Sequence, residues 1–207
     1  MIACFSSISK RALNEIPSWL PELTSLQKLH ISKNNIQELP VAMRVMSSLL
    51  ELKIHDNNLR YIPRWIGELH NLQILDTSGN QISLIPDEIG GISSLIHLSL
   101  NDNHIQIIPQ ALFQLQKLRF LELSGNQITY IPSEFTQLQE LYYVGLANND
   151  IKRLPSSFAQ LHKLRTLHLY GNPNLVSPPP EIVAQGITAI QSYLHKSAVI
   201  AHLRSRL

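Results

Sequence analysis

The chain has 207 residues, of which 44% are hydrophobic and 15% charged, and its formal net charge is +2. That length suits one domain or two small ones with a sizeable core, while the charged fraction lies below the roughly 25% usual for globular domains. A positive excess so small and so dispersed excludes nucleic acid or a membrane surface as the expected partner.

The amino terminus, "MIACFSSISK", has neither a basic start nor a long apolar run, so no signal peptide is expected, and no apolar segment approaches membrane-spanning length. Cys4 is the only cysteine, which excludes an internal disulfide, and Asn-x-Ser/Thr sequons are absent. These features lead us to expect a reducing compartment, either the cytoplasm where the chain is made or another cytosol to which it is delivered.

Residues 1–25 read as a degenerate first repeat: Ile8, Leu13, Ile16 and Pro17 hold places that recur later, but Arg11 stands where later units have asparagine. Seven full repeats follow over residues 26–176, with a step of 23 and no insertion before Pro173. The step aligns Asn34, Asn57, Asn80, Asn103, Asn126, Asn149 and Asn172, and equally the prolines from Pro17 to Pro155. A fixed period of this length means stacked supersecondary units. Within each unit "LxxLxL" alternates as a half-buried strand does. The asparagine then turns the chain, and the proline forbids continuation of the strand. Apolar residues spaced three apart after it (Ile66 and Leu69, Phe135 and Leu138) predict a short helical or 3-10 return. Each unit is one coil of an α/β solenoid whose strands stack in parallel. A turning coil leaves buried N–H and C=O groups without strand partners. A short amide with two donors and an acceptor can satisfy them on its own coil and on its neighbour, so the asparagines read as a structural ladder.

Residues 177–207 leave the period. After Pro178–Pro180 the apolar spacing becomes helical and is interrupted at Gly186. We expect two short helices that cap the apolar end of the array. No linker separates them from the repeats, so residues 1–207 read as one domain.

The stretch "LQILDTSGNQISLIPDEIGGISSL" resembles a leucine-rich repeat of the kind with a proline after the turn, and the resemblance covers residues 3 to about 176. It implies a horseshoe with a concave parallel sheet, short convex segments and a C-terminal helical cap. The wording "PPPEIVAQGITAIQSYL" resembles the segment that ends bacterial arrays, including those that precede Roco-type GTPase domains, although no G-x-x-x-x-G-K-[ST] occurs here. In-register repeats, few cysteines and a proline-rich cap together resemble the repeat effectors that intracellular bacterial pathogens, Legionella among them, deliver into host cells. That implies a host-directed adaptor active in virulence. Intracellular Ras-associated scaffolds, whose repeats also read "IPxxIGxLxxLxxL", are a second resemblance, and a regulatory fragment of a Roco-like enzyme is the alternative from a different class.

The nine histidines lack the H-x-x-x-H or Cys/His spacing of a zinc site. Cys4 has no histidine partner and reads as a packing residue. The carboxylates Asp56, Asp102 and the Asp87–Glu88 pair fall on separate coils, so no catalytic constellation, metal or cofactor is expected. The concave face remains. Counting the first leucine of a unit as position one, positions three, five, seven and eight face the open side. Toward the amino end they carry Lys28, His30, Lys33, Lys53 and His55, partly offset by Glu51 and Asp56. Toward the carboxyl end the full charges are the acids Asp76, Asp102 and Glu122, beside Ile74, His97, Phe120, Tyr143, His168 and Tyr170. Aromatic residues on adjacent strands, next to Gly145 and Ala147, mark a binding surface. The expectation is a non-catalytic monomer that binds a partner protein on this face. Phe120, Tyr143 and Tyr170 should form one exposed patch in which Phe120 and Tyr143 can touch, and a convex surface around Trp19 and Trp65 is the alternative interface.

Overall fold

The alternating stretch of each unit forms a strand three residues long. These are β1 (Phe5–Ser7), β2 (Lys28–His30), β3 (Glu51–Lys53), β4 (Ile74–Asp76), β5 (His97–Ser99), β6 (Phe120–Glu122), β7 (Tyr143–Gly145) and β8 (Thr166–His168). The computed structural model describes residues 5–204. All eight strands form one parallel sheet in chain order. The register never slips: Leu29, Leu52, Leu75, Leu98, Leu121, Val144 and Leu167 stand side by side at the centre of successive strands. These central side chains are buried and point away from the open face.

The strands are short because the backbone reverses its local hand just before each asparagine. Lys33, Asp56, Gly79, Asp102, Gly125, Asn148 and Gly171 all have φ between 53° and 70°. Glycine, asparagine and aspartate tolerate this left-handed region best, which explains their supply at that position. Gly125 suits the position for a second reason: a Cβ there would come within 2.2 Å of the Asp102 carboxylate oxygen on the preceding coil, which would have to swing aside.

The asparagines then satisfy the turn. Asn103 is buried, and its amide donates to the carbonyls of Leu100 (3.1 Å) and Asn101 (3.0 Å) on its own coil and of Thr77 (3.1 Å) on the coil before. Its Oδ1 accepts the Ile82 N–H of that same preceding coil at 2.9 Å. Asn34, Asn57, Asn80, Asn126, Asn149 and Asn172 repeat this pattern; at the degenerate first coil, Asn34 accepts from the N–H groups of Arg11 and Leu13. Each amide therefore holds two coils.

The return segments are 3-10 turns throughout, at Leu20–Glu22, Val41–Val45, Arg64–Glu68, Asp87–Gly91, Gln110–Gln114, Ser133–Gln137 and Ser156–Gln160. Apart from the first, each follows a proline in extended conformation whose carbonyl accepts the first turn bond, as with Met43 N–H to Pro40 at 3.0 Å. Met43, Ile66, Ile89, Leu112, Phe135 and Phe158 descend from these turns into the core, where Phe135 stacks between Phe113 and Phe158 at 5.3 and 5.1 Å. One convex expectation needs correction. Trp19 is 50% exposed, but Trp65 is only 9% exposed and belongs to the core, so the two do not form an open surface.

The carboxyl end also differs in proportion from the expected pair of short helices. Helix α1 (Pro180–Val183) is one turn, whereas α2 (Ile187–Arg204) runs 18 residues. Gly186, at φ 84°, makes the corner between them. Helix α2 packs on the last 3-10 turn and buries Ile190 and Leu194 there, and Gln191 donates to the Leu161 carbonyl at 3.0 Å.

Deleting residues 179–207 strips apolar cover from the last coil, and nearest-neighbour arrays depend on covered ends. Aggregation or a large fall in Tm is the expected outcome, read by light scattering and thermal unfolding. Asn103→Ala keeps both neighbours but orphans turn groups on two coils, so chemical denaturation should show a loss of about 1–3 kcal/mol.

Candidate functional site

The register converts each sequence position into a column on the concave face, with neighbours about 4.8 Å apart. At this spacing charges on adjacent coils pair. The amino-terminal cluster is built around Glu51, which is buried: Lys53 approaches it at 2.7 Å, His30 at 2.8 Å and Lys28 at 3.4 Å. Burial pushes the Glu51 carboxyl up, but the hydrogen bonds from Lys53, His30 and Lys28 outweigh it and lower its pKa to about 2. His55 lies 2.9 Å from Asp56, which Lys33 approaches at 4.0 Å. The expected basic surface is thus largely an internal ion-pair cluster, and Lys53 is a structural partner as much as a docking charge.

The middle of the face is a chain of hydrogen bonds. The Asp76 carboxylate on β4 accepts the N–H and hydroxyl of Ser78 at 3.1 and 2.6 Å, while Ile74 on the same strand is half-buried. His97 on β5 and Glu122 on β6 are 2.6 Å apart, and the other oxygen of Glu122 accepts from Asn101, also at 2.6 Å. The contact with His97 is the leading reason that the Glu122 carboxyl lies below its ordinary range; burial opposes it and Asn101 adds to it. Asn101 accepts from the Ser124 N–H at 2.8 Å, and the Ser124 hydroxyl accepts from the Ala147 N–H at 3.2 Å. Three consecutive coils are tied on the open side by the bonds that run from His97 to Ala147.

At the carboxyl end the aromatic residues pair differently from expectation. Among the described residues Phe120 makes ring contacts with His97 (5.6 Å) and Tyr142 (6.1 Å), and the Arg119 guanidinium lies 5.9 Å from its centroid. Tyr143 instead meets His168 edge-on at 5.3 Å and shares a 3.1 Å hydrogen bond with its Nδ1. The reason is Gly145: its missing side chain leaves room that the Tyr143 ring occupies, 3.4 Å from where a Cβ would stand. Burial, with Glu122 and Tyr170 nearby, pushes the Tyr143 hydroxyl pKa up. His168 goes on to Tyr170 at 5.9 Å, and Tyr170 is 63% exposed. Two short aromatic ladders result, His97–Phe120–Tyr142 and Tyr143–His168–Tyr170.

Tyr142 and Arg119 were missed because position two reads as the edge of the strand rather than its face. The signal was present in the column Leu50, Gln73, Ile96, Arg119, Tyr142 and Arg165, where large side chains recur at the strand entrance. Among the described residues, no three His, Cys, Asp or Glu side chains gather to hold a metal ion. Cys4 lies outside those residues. No helix among them is long and apolar enough to cross a membrane.

The family model for leucine-rich repeats matches residues 22–82 and 83–128, just over half of the chain. The chain belongs to the leucine-rich-repeat family. No curated protein matches it. Among solved structures, a leucine-rich-repeat protein of Leptospira interrogans superposes with a TM-score of 0.70 at 27% identity, over 84% of this chain and 53% of that one. Internalin C2 of Listeria monocytogenes gives a TM-score of 0.74 at 24% identity, over 83% and 78%, a likeness of fold alone. The plant peptide hormone receptor RGFR1, in complex with RGF2, gives 0.69 at 30% identity, over 78% of this chain and 29% of the receptor. The chain spans about half the length of the Leptospira protein and a smaller part of the plant receptor.

The depressed Glu51 carboxyl fixes a pH signature. Its folded pKa of about 2 lies below its ordinary value of 4.5, so its stabilisation is present above about 4.5 and is lost as pH falls through about 2. Glu51→Gln should cost about 2 kcal/mol at neutral pH, the scale of hydrogen bonds to a charged group. The gap between wild type and variant in denaturant unfolding should close as the pH is lowered across that window.

Proposed function

We propose that this leucine-rich-repeat domain is a non-catalytic module that binds a partner protein on the carboxyl-terminal half of its concave face. The supporting observation is the pair of aromatic ladders on β5 to β8, with Tyr142 and Tyr170 open to solvent beside the small residues Gly145 and Ala147. Aromatic groups with hydrogen-bonding neighbours dominate interface energies, and their rigid rings lose little entropy on docking. Glu122, His97 and His168 supply the polar rim, while the Glu51 cluster acts on long-range steering rather than on contact energy. Solenoids of this kind commonly use the concave surface created by their curvature. The peptide-bound plant receptor is a structural neighbour with that kind of partner.

The finer reading is a host-directed adaptor delivered by a bacterium. It is supported by the resemblance of the repeats to those of delivered effectors and by the Leptospira protein among the structural neighbours. A reporter fusion scored for entry into host cytosol tests delivery separately from binding. A P-loop downstream in the full gene would favour the Roco-like fragment reading, and capture of a Ras-type GTPase would favour the scaffold reading.

The binding test is affinity capture from cell lysate, followed by titration of the captured protein. Tyr142→Ala and Tyr170→Ala should each weaken binding by roughly 2 kcal/mol while circular dichroism and Tm stay unchanged. Full affinity in the double variant would move the interface off this half of the face.

A further inference from the structure

A second column of large apolar side chains stands on the opposite flank, between the asparagine ladder and the convex turns. At the thirteenth position of successive units the chain reads Glu38, Tyr61, Leu84, Ile107, Tyr130, Arg153. The four central members are 45%, 62%, 68% and 69% exposed, in that order. Single exposed apolar residues are ordinary, but four on consecutive coils make a contiguous ridge of the size that marks an interaction surface. The ridge is held in line by backbone bonds two residues away, such as Gln81 N–H to Leu59 at 2.8 Å and Gln127 N–H to Ile105 at 2.9 Å. Shallow hollows lie between its members, floored by Ile62, Pro63 and Pro86 beyond Tyr61, and by Ile85 and Pro109 beyond Leu84.

The order of residues identifies the occupant. Reversed, the column reads Arg, Tyr, Ile, Leu, Tyr, Glu, so it complements itself about a two-fold axis between Leu84 and Ile107. We propose that the chain pairs with a second copy of itself along this ridge, in an isologous antiparallel contact. Tyr61 then meets the second copy's Tyr130, Leu84 meets its Ile107, and Glu38 meets its Arg153. Because both ridges have the same coil spacing, every pair falls into place once one does. A parallel contact would set Glu38 beside Glu38 and Arg153 beside Arg153, and like charges reject it. Glu38 already accepts a hydrogen bond from the Tyr61 hydroxyl at 3.1 Å, which fixes it at the end of the ridge. Arg153 is exposed and forms no ion pair among the described residues. The contact departs from the expected monomer and does not rest on concave-face binding. A column of six residues is far fewer than the roughly 20–30 residues a side of a standard interface, so a weak dimer in the micromolar range is expected.

Sedimentation equilibrium of the full chain from about 1 to about 300 µM tests this range. Wild type should pass from monomer to dimer, and Ile107→Glu should abolish the transition. Glu38→Arg and Arg153→Glu should each raise the dissociation constant about tenfold, because each sets like charges face to face twice per dimer. An equimolar mixture of those two single variants should recover wild-type affinity, since both contacts in the mixed dimer are then of opposite sign. The double variant Glu38→Arg/Arg153→Glu should recover it too. A wild type that stays monomeric throughout, a dimer indifferent to Ile107→Glu, or a mixture that fails to recover would each overturn the proposal.

Discussion

A backbone that turns inside a protein must find partners for its N–H and C=O groups, and here one buried amide per coil finds them on two coils at once. Asn126 donates to Leu123 on its own coil and to Leu100 on the coil before, at 3.0 and 2.9 Å, and its Oδ1 accepts from Ile105. A coil with no neighbour cannot complete this set. Folding is therefore cooperative between neighbours, in the manner of a one-dimensional array, and the two ends are its weakest interfaces. The left-handed residue before each asparagine belongs to the same device, since it turns the backbone so that the amide can reach inward. From Asp56 to Gly171 this position alternates between a residue with a carboxylate or amide and a glycine, and the oxygens of Asp56, Asp102 and Asn148 lie where the next glycine's side chain would be.

Strict register decides the electrostatics as well. Neighbours within a column, about 4.8 Å apart, are close enough that an unpaired charge would be felt by the coils on both sides. Lys28 and Lys53 flank Glu51 for this reason, and Glu122 draws both His97 and Asn101. Much of the charge on the concave face is consequently satisfied within the protein. What it offers outward is aromatic surface.

The repeat period carried the fold, because the same chemistry recurring at a fixed step leaves only stacked coils. It did not carry the pairing of side chains. Phe120 and Tyr143 are opposite one another in the sheet, yet the gap at Gly145 and the hydrogen bond shared with His168 draw Tyr143 the other way. Burial of Trp65 was equally hidden, since a tryptophan in a convex turn can lie over the core or out in solvent at the same sequence position. The left-handed residues were readable in principle from the run of glycine, aspartate and asparagine before the ladder. The ridge was readable too but concealed. In "YIP", "LIP" and "IIP" two apolar residues precede the proline, and only extended geometry, with successive side chains on opposite faces, separates the buried one from the exposed one.

The two surfaces answer different demands on the repeat. The concave face varies from coil to coil, with lysine, glutamate, isoleucine, histidine, phenylalanine and tyrosine succeeding one another at the third position. Such variation gives an irregular surface that fits one shape of partner. The ridge varies little between its charged ends, and uniform chemistry at uniform spacing fits an equally regular surface. Another copy of the same ridge has that regularity by construction. A contact on the flank leaves the sheet uncovered, so two joined chains would present two open concave faces. Binding at the first would raise the effective concentration of partner at the second, provided the partner's own geometry spans both. A low-affinity patch of a few aromatic rings would then act with the strength of two.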